Sequence, residues 1–562
     1  YESLTAAGAT MGSGGMIVAD EDTCMVELAK FFLTFAQAES CGKCVPCRVG
    51  GKRMLEILTR ICAGQGTMED LDTIQELADG MTAGSLCALG QLTPGPVRAT
   101  LRYFMDEYKA HIEDGYCPAG VCKALVRARC INTCPAGVDV PSYLAAIAQG
   151  KYAEGLAIHR ERNPFPLVCG RVCPAFCEER CRRGDIDQAV AIRQLKRFMA
   201  DQESEVPWTP EVPAEKWPER VAVVGAGPAG LTAALRLAER GYPVTVFEAA
   251  PKPGGWMTYG IPEYRLPKDV LRREIENIER AGVEIRTNTA LGRDFTLDDL
   301  TGEMGYQAVI LAIGAQRSRR LGVSGEELEG VMHATDFLRD VAMGKPADLT
   351  GKRVVVVGGG NTAIDAARTA LRQGAQAVHL VYRRTRAEMP AQDLEVAEAE
   401  EEGVQLHFLV NPVRILGDGQ VTGIELLAQE LGEFGPDGRR RPVAIEGSEF
   451  TIPADVIVPA VGQMVDLSSL NGDAPETDRN TTFVVDKNLV TSRKGVFAAG
   501  DAVLGPATVI EAVAQGNQVA LSVDAYLRGT EVPPARRMTA YRTAELTYNL
   551  EDYAEAHRAE MP

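Results

Sequence analysis

The sequence lacks features that would mark it as a membrane, secreted or nucleic-acid-binding protein. No apolar run reaches the ~18 residues that a membrane span requires, and no basic start with an apolar core marks a secretory signal. Positive charge is also scarce, since 59 Lys and Arg residues face 77 Asp and Glu, for a formal net charge of -18. A nucleic-acid-binding surface is basic. We therefore expect a cytoplasmic globular chain of several domains, with neither a nucleic-acid partner nor a membrane association.

Cysteine is missing from the last two thirds of the chain. All 14 cysteines lie between Cys24 and Cys181, in close groups. A secreted protein would spread its cysteines over disulfide-stapled modules and carry a signal. Clustered thiols without a signal instead indicate metal binding in a reducing cytoplasm.

The first group has a spacing typical of an iron–sulfur cluster. Cys41, Cys44 and Cys47 stand at C-x2-C-x2-C in "ESCGKCVPCRVG", and Cys87 follows in "GSLCALG". A cubane needs four thiolates, and a tight loop can reach three corners while a second segment supplies the last. Zinc is the alternative, but three thiolates on one loop are unusual in zinc ribbons. The pattern favours a [4Fe-4S] cluster.

The stretches "ESCGKCVPCRVGGKRMLEIL" and "SLCALG" resemble the C-terminal helical domain of the NADH-binding flavin subunit of complex I and of soluble multi-subunit hydrogenases. The resemblance covers about residues 1–125. It implies that the four cysteines hold a [4Fe-4S] cluster that takes electrons from FMN. The glycine-rich FMN and NADH motifs of that family do not occur in this chain. We therefore expect the FMN site in a partner or in a segment upstream of Tyr1, unless the protein has none.

The second group combines one histidine with three cysteines. His111, Cys117 and Cys122 form H-x5-C-x4-C, and Cys24 is the unmatched cysteine near the start of the same domain. One imidazole and three thiolates make a closed tetrahedral set for zinc. This set resembles a zinc site of bifurcating hydrogenase flavin subunits. The alternative is that Cys117 and Cys122 join a cluster with later cysteines.

The third group lies in "RCINTCPAGVDVP" and "LVCGRVCPAFCEERC", and its members are Cys130, Cys134, Cys169, Cys173, Cys177 and Cys181. With "AIRQLKRFMAD" behind them, these stretches resemble the N-terminal iron–sulfur domain of the glutamate synthase small subunit. The same domain occurs in dihydropyrimidine dehydrogenase and in NADH-dependent ferredoxin–NADP oxidoreductase. Those relatives hold two [4Fe-4S] clusters there and carry an upstream C-x2-C pair that this chain lacks. Six thiolates are enough for one [4Fe-4S] cluster, but the ligands of a second cluster stay open between Cys117 with Cys122 and a ligand other than cysteine. Cys62 lies outside the three groups, and we expect it to be a buried apolar residue.

A first dinucleotide-binding unit follows a Pro-rich linker. The apolar run Val221 to Val224 predicts a buried parallel strand, and the next residues fit G-x-G-x-x-G with Gly225, Gly227 and Gly230. These glycines permit a tight turn, a close approach to a pyrophosphate and helix–strand packing. Glu248 ends the second strand, where its carboxylate can accept ribose hydroxyls.

A second such unit lacks that acid. Gly358, Gly360 and Ala363 fit G-x-G-x-x-A, and the second strand, "VHLVYRR", ends in Arg383 and Arg384. A carboxylate would repel a 2′-phosphate, whereas guanidinium groups pair with it. This unit therefore predicts a preference for NADP(H) over NAD(H).

The segment 496–516, "VFAAGDAVLGPATVIEAVAQG", runs from a strand through Gly500 and Asp501 to a helix that starts near Pro506 to Val509. Helix amides and an Asp suit the pyrophosphate and ribityl chain of a flavin. The segment resembles the FAD-binding end of flavoproteins with two dinucleotide domains. "GGWMTYGIPEYRLPK" and "ILAIGA" are similar to FAD-domain stretches of the glutamate synthase small subunit, over about residues 125–530. The resemblance adds the following residues to the expected cofactor sites: Pro228, Ala229, Gly255, Arg265, Gly314, Thr508, Val509, Asn361 and Thr362.

The fold class expected is α/β, with two Rossmann-like domains for FAD and NADP preceded by two helical iron–sulfur domains. The expected boundaries are 1–125 and 126–205 for the helical domains, 206–219 for the linker, 220–349 with 456–530 for the FAD domain, 350–455 for the NADP(H) domain, and 531–562 for a tail. No C-x-x-C lies near either Rossmann unit, which argues against a redox-active disulfide. The acidic run 393–403, "DLEVAEAEEEG", predicts a solvated helix face.

These parts predict an oxidoreductase. FAD between an NADP(H) domain and cluster domains would convert two-electron into one-electron transfer, and hydride transfer needs no general acid or base. We expect a subunit that passes electrons between NADP(H) and partner subunits with FMN and iron–sulfur clusters. An electron-bifurcating transhydrogenase, hydrogenase or formate dehydrogenase is one such complex, and ferredoxin is one candidate acceptor. The alternatives are a glutamate-synthase-type small subunit that reduces a catalytic partner and a non-catalytic electron-relay scaffold. The cofactors expected are one FAD, NADP(H), one zinc and two or three [4Fe-4S] clusters.

Overall fold

Helices form the first part of the chain, and parallel sheets form the rest. The computed structural model describes residues 17–20, 23–126, 128–203, 208–435, 439–470 and 474–533. The chain divides into two units: Tyr1–His159, Ala175–Ile192 and Val532–Pro562 form the first, and Arg160–Pro174 with Arg193–Glu531 form the second. No helix among the described residues is both long and apolar enough to cross a membrane.

The first unit is built from amphipathic helices. In Gly51–Cys62, buried residues recur at Met54, Ile57, Leu58 and Ile61, the spacing of one helix face. The helix Met68–Gly84 starts with a capping box, in which the side chains of Thr67 and Asp70 satisfy each other's backbone amides. The helices up to residue 148 are α1 Met25–Ala38, a π-helix Pro46–Gly50, α2 Gly51–Cys62, α3 Met68–Gly84, α4 Ala88–Leu92, α5 Gly95–Tyr103, α6 Met105–Glu113, α7 Arg129–Thr133 and α8 Val140–Ala148.

The cysteine-rich segment that follows is split between the two units. Its elements are α9 Tyr152–Arg160, α10 Pro166–Val172, α11 Phe176–Glu179, a 3-10 turn Arg182–Asp185 and α12 Ile192–Asp201. Residues 160–174, which include α10, belong to the second unit. Two buried amides explain this, because Leu167 and Val168 donate to the two carboxylate oxygens of Glu274 at 2.6 and 3.0 Å. The expected domain 126–205 thus contributes residues to both units.

The first parallel sheet of the second unit has five strands, in the spatial order Val496–Ala498, Ala308–Leu311, Val221–Val224, Val244–Phe247 and Glu284–Arg286. Its central strand is the apolar run Val221–Val224, whose four residues are all buried, as a strand covered on both faces requires. The elements are β1 Val221–Val224, α13 Pro228–Ala238, β2 Val244–Phe247, α14 Trp256–Tyr259, α15 Lys268–Arg280, β3 Glu284–Arg286, α16 Leu297–Thr301 and β4 Ala308–Leu311, and, after the second sheet, β14 Val496–Ala498, α20 Asp501–Leu504 and α21 Val509–Arg528.

The second parallel sheet has order β12-β6-β7-β8, and the antiparallel sheet β11-β10-β9 shares an apolar core with it. The elements are β5 Arg317–Ser318, α17 Ala334–Ala342, β6 Arg353–Val357, α18 Asn361–Arg372, β7 Ala377–Tyr382, α19 Asp393–Glu401, β8 Gln405–Phe408, β9 Val410–Asp418, β10 Gln420–Phe434, β11 Arg440–Pro453, β12 Val456–Pro459 and β13 Gln463–Met464. β5 pairs with β13, and these two short strands lie where the chain leaves and re-enters the first sheet.

The α/β class with a helical start is confirmed. β12 pairs with β6 through Val456 and Val354, so the second sheet extends to Pro459. The run Val456–Pro459 is apolar and completely buried.

Candidate functional site

One cavity of about 1320 Å³ runs between the carboxyl ends of the two parallel sheets. Ligands of open α/β sheets bind in such crevices, where glycine turns leave room for phosphates. Its wall includes both glycine turns, the end of each second strand, and the start of α21.

The first glycine turn fits a pyrophosphate. Gly225 has a φ of +107°, and a Cβ there would lie 2.3 Å from the carbonyl oxygen of Ala312. A Cβ at Gly230 would lie 2.1 Å from the carbonyl oxygen of Gly225, so this position serves helix–strand packing. At Gly227, no described atom comes within 4 Å of the Cβ position, and the residue lines the cavity. The open space at Gly227 is where a phosphate can reach the backbone and the amino end of α13.

Glu248 follows β2 and lines the same cavity. Its carboxylate accepts hydrogen bonds from the amides of Ala226 and Ala250, each at 2.8 Å. Burial raises the pKa of this carboxyl, and the two amide bonds oppose that shift. The carboxylate is thus held beside the glycine turn, at the position suited to ribose hydroxyls.

The segment between β14 and α21 completes the wall of the cavity on the side of the first sheet. Gly500 has a φ of +73° and leads into Asp501, and Thr508 caps α21 with Glu511 as its partner. Burial raises the pKa of Asp501 to about 7. Gly500, Asp501, Thr508 and Val509 all line the cavity, next to the amino end of a 20-residue helix.

The second glycine turn repeats the geometry of the first. Gly358 has a φ of +149°, and a Cβ there would lie 2.4 Å from the carbonyl oxygen of Ala460. At Gly360, the nearest atom to the Cβ position is Pro390 Cγ at 3.9 Å, so the turn is open to the cavity. Asn361 begins α18, and its Oδ1 accepts a hydrogen bond from the amide of Gln392 at 3.3 Å.

The two arginines after β7 differ in their surroundings. Arg383 is exposed and lines the cavity. Arg384 also lines the cavity, but it is only 5% exposed, and its Nε donates to the carbonyl oxygen of Arg440 at 2.7 Å. Arg439, which the sequence did not single out, reaches the same wall from the residue before β11. The basic run "RRR" at 439–441 could have indicated a phosphate-binding residue. However, it lies more than fifty residues after β7, so the sequence does not link it to that strand.

Arg265 lines the cavity, yet its guanidinium binds protein groups. Its Nη1 donates to both carboxylate oxygens of Asp365 at 2.7 Å, and its Nη2 donates to Glu395. Burial lowers the pKa of Arg265, but the two carboxylates raise it by more, so the net shift is upward. Arg265 therefore joins the first-sheet segment to α18 and α19, and its expected role as a cofactor ligand stays a prediction.

Of the twenty residues expected to bind FAD or NADP, the structure brings eighteen to the wall of this one cavity. The other two are Gly230 and Ala363, which lie within their helices and pack against the preceding turns. Sequence reasoning missed several lining residues, among them Trp256, Gln392 and Arg439.

The first cysteine group has a donor set suited to a cubane. Cys41, Cys44 and Cys47 stand on and before the π-helix, and Cys87 is the N-cap of α4. The amide of Leu86 is the main cause of a lowered pKa at Cys44, so the segment before Cys87 contacts the thiol loop. A Cβ at Gly90 would lie 2.9 Å from Cys47 Cβ, which shows how closely α4 packs on that loop. Amides directed at a sulfur stabilise a thiolate, the form that iron binds.

The second group converges on one point. The ligand atoms of Cys24, His111, Cys117 and Cys122 all lie within 4.8 Å of one another, and all four residues are buried. The Nε2 of His111 lies 3.4 Å from the sulfurs of both Cys24 and Cys122, and those sulfurs are 3.7 Å apart. A tetrahedral zinc with bonds of about 2.3 Å to sulfur and about 2.0 Å to nitrogen would separate its ligands by about 3.5–3.8 Å. The Nδ1 of His111 lies 2.7 Å from the carbonyl oxygen of Glu107, which directs Nε2 toward the thiols.

Cys62 is buried beside this set, with its ligand atom near those of Glu27 and Cys122. The expectation that Cys62 is a buried apolar residue agrees with its 7% exposure, but its contact with Cys122 was not foreseen.

The third group is divided. Cys130, Cys134, Cys177 and Cys181 belong to the first unit, where burial and then the neighbouring Cys181 raise the pKa of Cys130 to about 11. Cys169 and Cys173 belong to the second unit. Complete burial raises the pKa of Cys169 to about 12. None of the fourteen cysteines, which are all among the described residues, forms a disulfide.

Three family models match successive parts of the chain. "Pyridine nucleotide-disulphide oxidoreductase" matches residues 219–516, "NADH-ubiquinone oxidoreductase-F iron-sulfur binding region" matches 27–111, and "Dihydroprymidine dehydrogenase domain II, 4Fe-4S cluster" matches 103–208. The last two bear out the resemblances drawn from the cysteine motifs.

Curated relatives span most of the chain. The NADP(+)-dependent formate dehydrogenase subunit beta of Moorella thermoacetica is 43% identical over 589 residues, covering 93% of this chain and 83% of that protein. The NADPH-Fe(3+) oxidoreductase subunit beta of Geobacter sulfurreducens is 39% identical over 599 residues, covering 98% and 88%. The glutamate synthase [NADPH] small chain of Escherichia coli is 37% identical over 411 residues, covering 70% and 87%.

Proposed function

The chain belongs to the pyridine nucleotide-disulphide oxidoreductase family, and from that membership we propose that it is the NADP(H)-linked subunit of a multi-subunit electron-transfer complex. The chain is an NADP(H)-dependent oxidoreductase whose cofactors are FAD, NADP(H) and [4Fe-4S] clusters. All its cysteines precede the matched family region 219–516, so that region holds no redox-active disulfide.

One observation carries the proposal. The two glycine turns, Glu248 and Arg383 line a single cavity, and the same wall includes Val172 and Pro174, the neighbours of Cys173. The segment that holds Cys173 therefore borders the space for the nucleotides. The glycine turns and Glu248 would hold FAD in that space, and the flavin would supply both hydride exchange with a nicotinamide and single-electron transfer to iron–sulfur clusters.

The residues of the chain bind and orient the two nucleotides. Gly227 and the amino end of α13 would hold the FAD pyrophosphate, and Glu248 would accept its ribose hydroxyls. Thr508 and Val509, at the start of α21, would face the isoalloxazine end. Gly360 would hold the NADP pyrophosphate.

The 2′-phosphate of NADP would meet Arg383 and Arg439. Arg383 is exposed at the end of β7, and Arg439 reaches the same wall from the antiparallel sheet. No carboxylate follows β7 at this position, whereas Glu248 follows β2. The difference between the two strand ends supports FAD in the first sheet and NADP(H) in the second.

The proposed metal sites all lie in the cysteine-rich part of the chain, residues 24–181. Cys41, Cys44, Cys47 and Cys87 would hold one [4Fe-4S] cluster. The six cysteines of the third group would hold one or two more, which keeps the count at two or three. Cys24, His111, Cys117 and Cys122 would hold zinc as a closed structural site, because their spacing matches a single ion and all four are buried. These reduced thiols fit a cytoplasmic compartment.

The physiological partners are proposed as iron–sulfur and FMN-bearing subunits. Relatives across nearly the whole chain are beta subunits, one of a formate dehydrogenase and one of an NADPH-Fe(3+) oxidoreductase. Electron bifurcation within such a complex, with ferredoxin as one acceptor, stays a prediction. A glutamate-synthase-type role is the second candidate, favoured by the match to that small chain. However, that match covers 70% of this chain, and the iron–sulfur region at 27–111 belongs to another family model.

An anaerobic assay tests the proposal. The isolated chain, reconstituted with FAD and iron, is expected to oxidise NADPH with an artificial dye, while physiological acceptors require the partner subunits. Full-rate reduction of ferredoxin or NAD by the isolated chain would contradict the multi-subunit role. Failure to oxidise NADPH with any dye, in protein that retains FAD, would favour the electron-relay scaffold.

A further inference from the structure

A second cavity, of about 720 Å³, lies where the chain crosses between the two parallel sheets. Its wall is formed by β5, β13, the start of α17 and the loop at residues 479–480. β5 leads out of the first sheet, and β13 leads back into it, so both crossings meet at this cavity. It shares part of its wall with the nucleotide cavity, but Arg317, Arg479 and His333 line only the second one.

Arginine dominates this wall. The five guanidinium groups belong to Arg317, Arg319, Arg320, Arg339 and Arg479, whereas the carboxylates belong to Asp336 and Asp466. The chain as a whole carries a formal charge of -18, so this concentration of positive charge is local. A concave surface lined by one sign of charge focuses the field and attracts ligands of the opposite sign.

In the part of the chain that the structure describes, four of these five guanidinium groups form no ion pair, although Arg317 attracts Asp466, whose pKa is lowered by hydrogen bonds with Ser468 and then by that arginine. Asp336 pairs with Arg339 at 3.0 Å. Among the described residues, no carboxylate oxygen lies within 4.0 Å of a guanidinium nitrogen of Arg317, Arg319, Arg320 or Arg479. Clustered guanidinium groups repel one another, so an anion in the cavity would relieve this repulsion.

Neutral acceptors hold part of the cluster in place. Arg319 donates from Nε to the carbonyl oxygen of Gln463 and from Nη2 to Oδ1 of Asn480, each at 3.4 Å. Arg339 donates to the carbonyl oxygen of Gln316 at 3.2 Å. A guanidinium has five N–H donors, so both groups retain donors for a ligand. The Nδ1 of His333 is buried without a hydrogen-bond partner among the described residues.

We propose that this cavity is a binding site for a small polyanion with a pyrophosphate or polyphosphate group, separate from the FAD and NADP(H) sites. Planar guanidinium forks match phosphate oxygens, and several forks around one space suit more than one phosphate. The cavity volume falls in the range of small-molecule sites, about 300–1,000 Å³, and its concave form favours such a ligand over an acidic protein surface. The ligand would contact both crossings between the sheets.

Calorimetry on the full chain tests this site. The protein, loaded with FAD and saturated with NADP+ to fill the nucleotide cavity, is titrated with inorganic pyrophosphate and, separately, with ADP. Saturable binding that weakens with salt is expected for pyrophosphate, for ADP or for both. Binding of pyrophosphate supports an inorganic source, and binding of ADP alone supports a nucleotide.

Two variants and a control locate the binding. The double variant Arg317→Gln/Arg479→Gln is expected to lower the affinity at least tenfold, while Arg317→Lys retains most of it. Both arginines are exposed, and the FAD content of each variant confirms folding. Arg272→Gln is the matched control, because this exposed arginine lies on α15 outside the cavity. Absence of saturable binding in the presence of NADP+, or equal affinity of the double variant and wild type, overturns the proposal.

Discussion

Replacing Arg383 with alanine should weaken NADPH binding without a comparable effect on NADH. The guanidinium is exposed at the end of β7 and lines the cavity beside Gly358 and Gly360. A hydrogen bond to a charged group contributes about 1.5–3 kcal/mol. Solvent screening at an exposed site places the expected loss near the lower end. Since about 1.4 kcal/mol is a factor of ten, we expect the KM for NADPH to rise about tenfold.

The assay is anaerobic dye reduction with NADPH and with NADH, each at low and high salt. The difference between the two nucleotides should shrink at high salt, because the interaction is electrostatic. Arg386→Ala is the matched control, since Arg386 lies three residues away and pairs with Glu400 outside the cavity. Equal rises in KM for both nucleotides would refute the assignment of Arg383 to the 2′-phosphate. Arg384→Ala should mainly lower the melting temperature, because that side chain is buried and bonded to the Arg440 carbonyl.

Further changes test other parts of the structure. Gly227→Val should abolish FAD binding, measured by absorbance, because its side chain would fill the open space at the first glycine turn; retained flavin would contradict that position for the pyrophosphate. His111→Ala should remove one zinc per chain in elemental analysis while iron and FAD are retained, and loss of iron instead would place this set in a cluster. Glu402→Gln should destabilise the protein by about 1–2 kcal/mol at pH 7 in denaturant titrations. Arg372 and Arg368 lower the pKa of Glu402 to about 2, so its stabilisation is present above its ordinary pKa of 4.5 and is lost as the pH falls toward 2; an equal effect at both ends of that range would argue against the ion pairs.

The sequence by itself determined the elements whose signals are local. A buried strand followed by a glycine turn and a helix is encoded within about thirty residues, and Val221–Val224 with Gly225 and Gly227 formed as expected. The spacing of thiols is local in the same sense. Cys41, Cys44 and Cys47 lie within seven residues, so their spacing alone predicts that they bind one cluster. Family models for both iron–sulfur regions agree with that interpretation.

Only the tertiary structure decided the roles of side chains whose partners are remote in sequence. The acidic run at 393–403 was expected to face solvent, but Glu395 is buried against Arg265, and Glu398 and Glu402 pair with Arg368. A repeated charge pattern cannot show which carboxylate meets a buried cation, because burial depends on how α19 packs on α18. Arg383 and Arg384 are adjacent in sequence but differ in exposure for the same reason. Arg384 is buried because β11 covers it, whereas Arg383 stays exposed. Arg439 reaches the nucleotide cavity only because the antiparallel sheet folds back over β7, a contact between segments more than fifty residues apart.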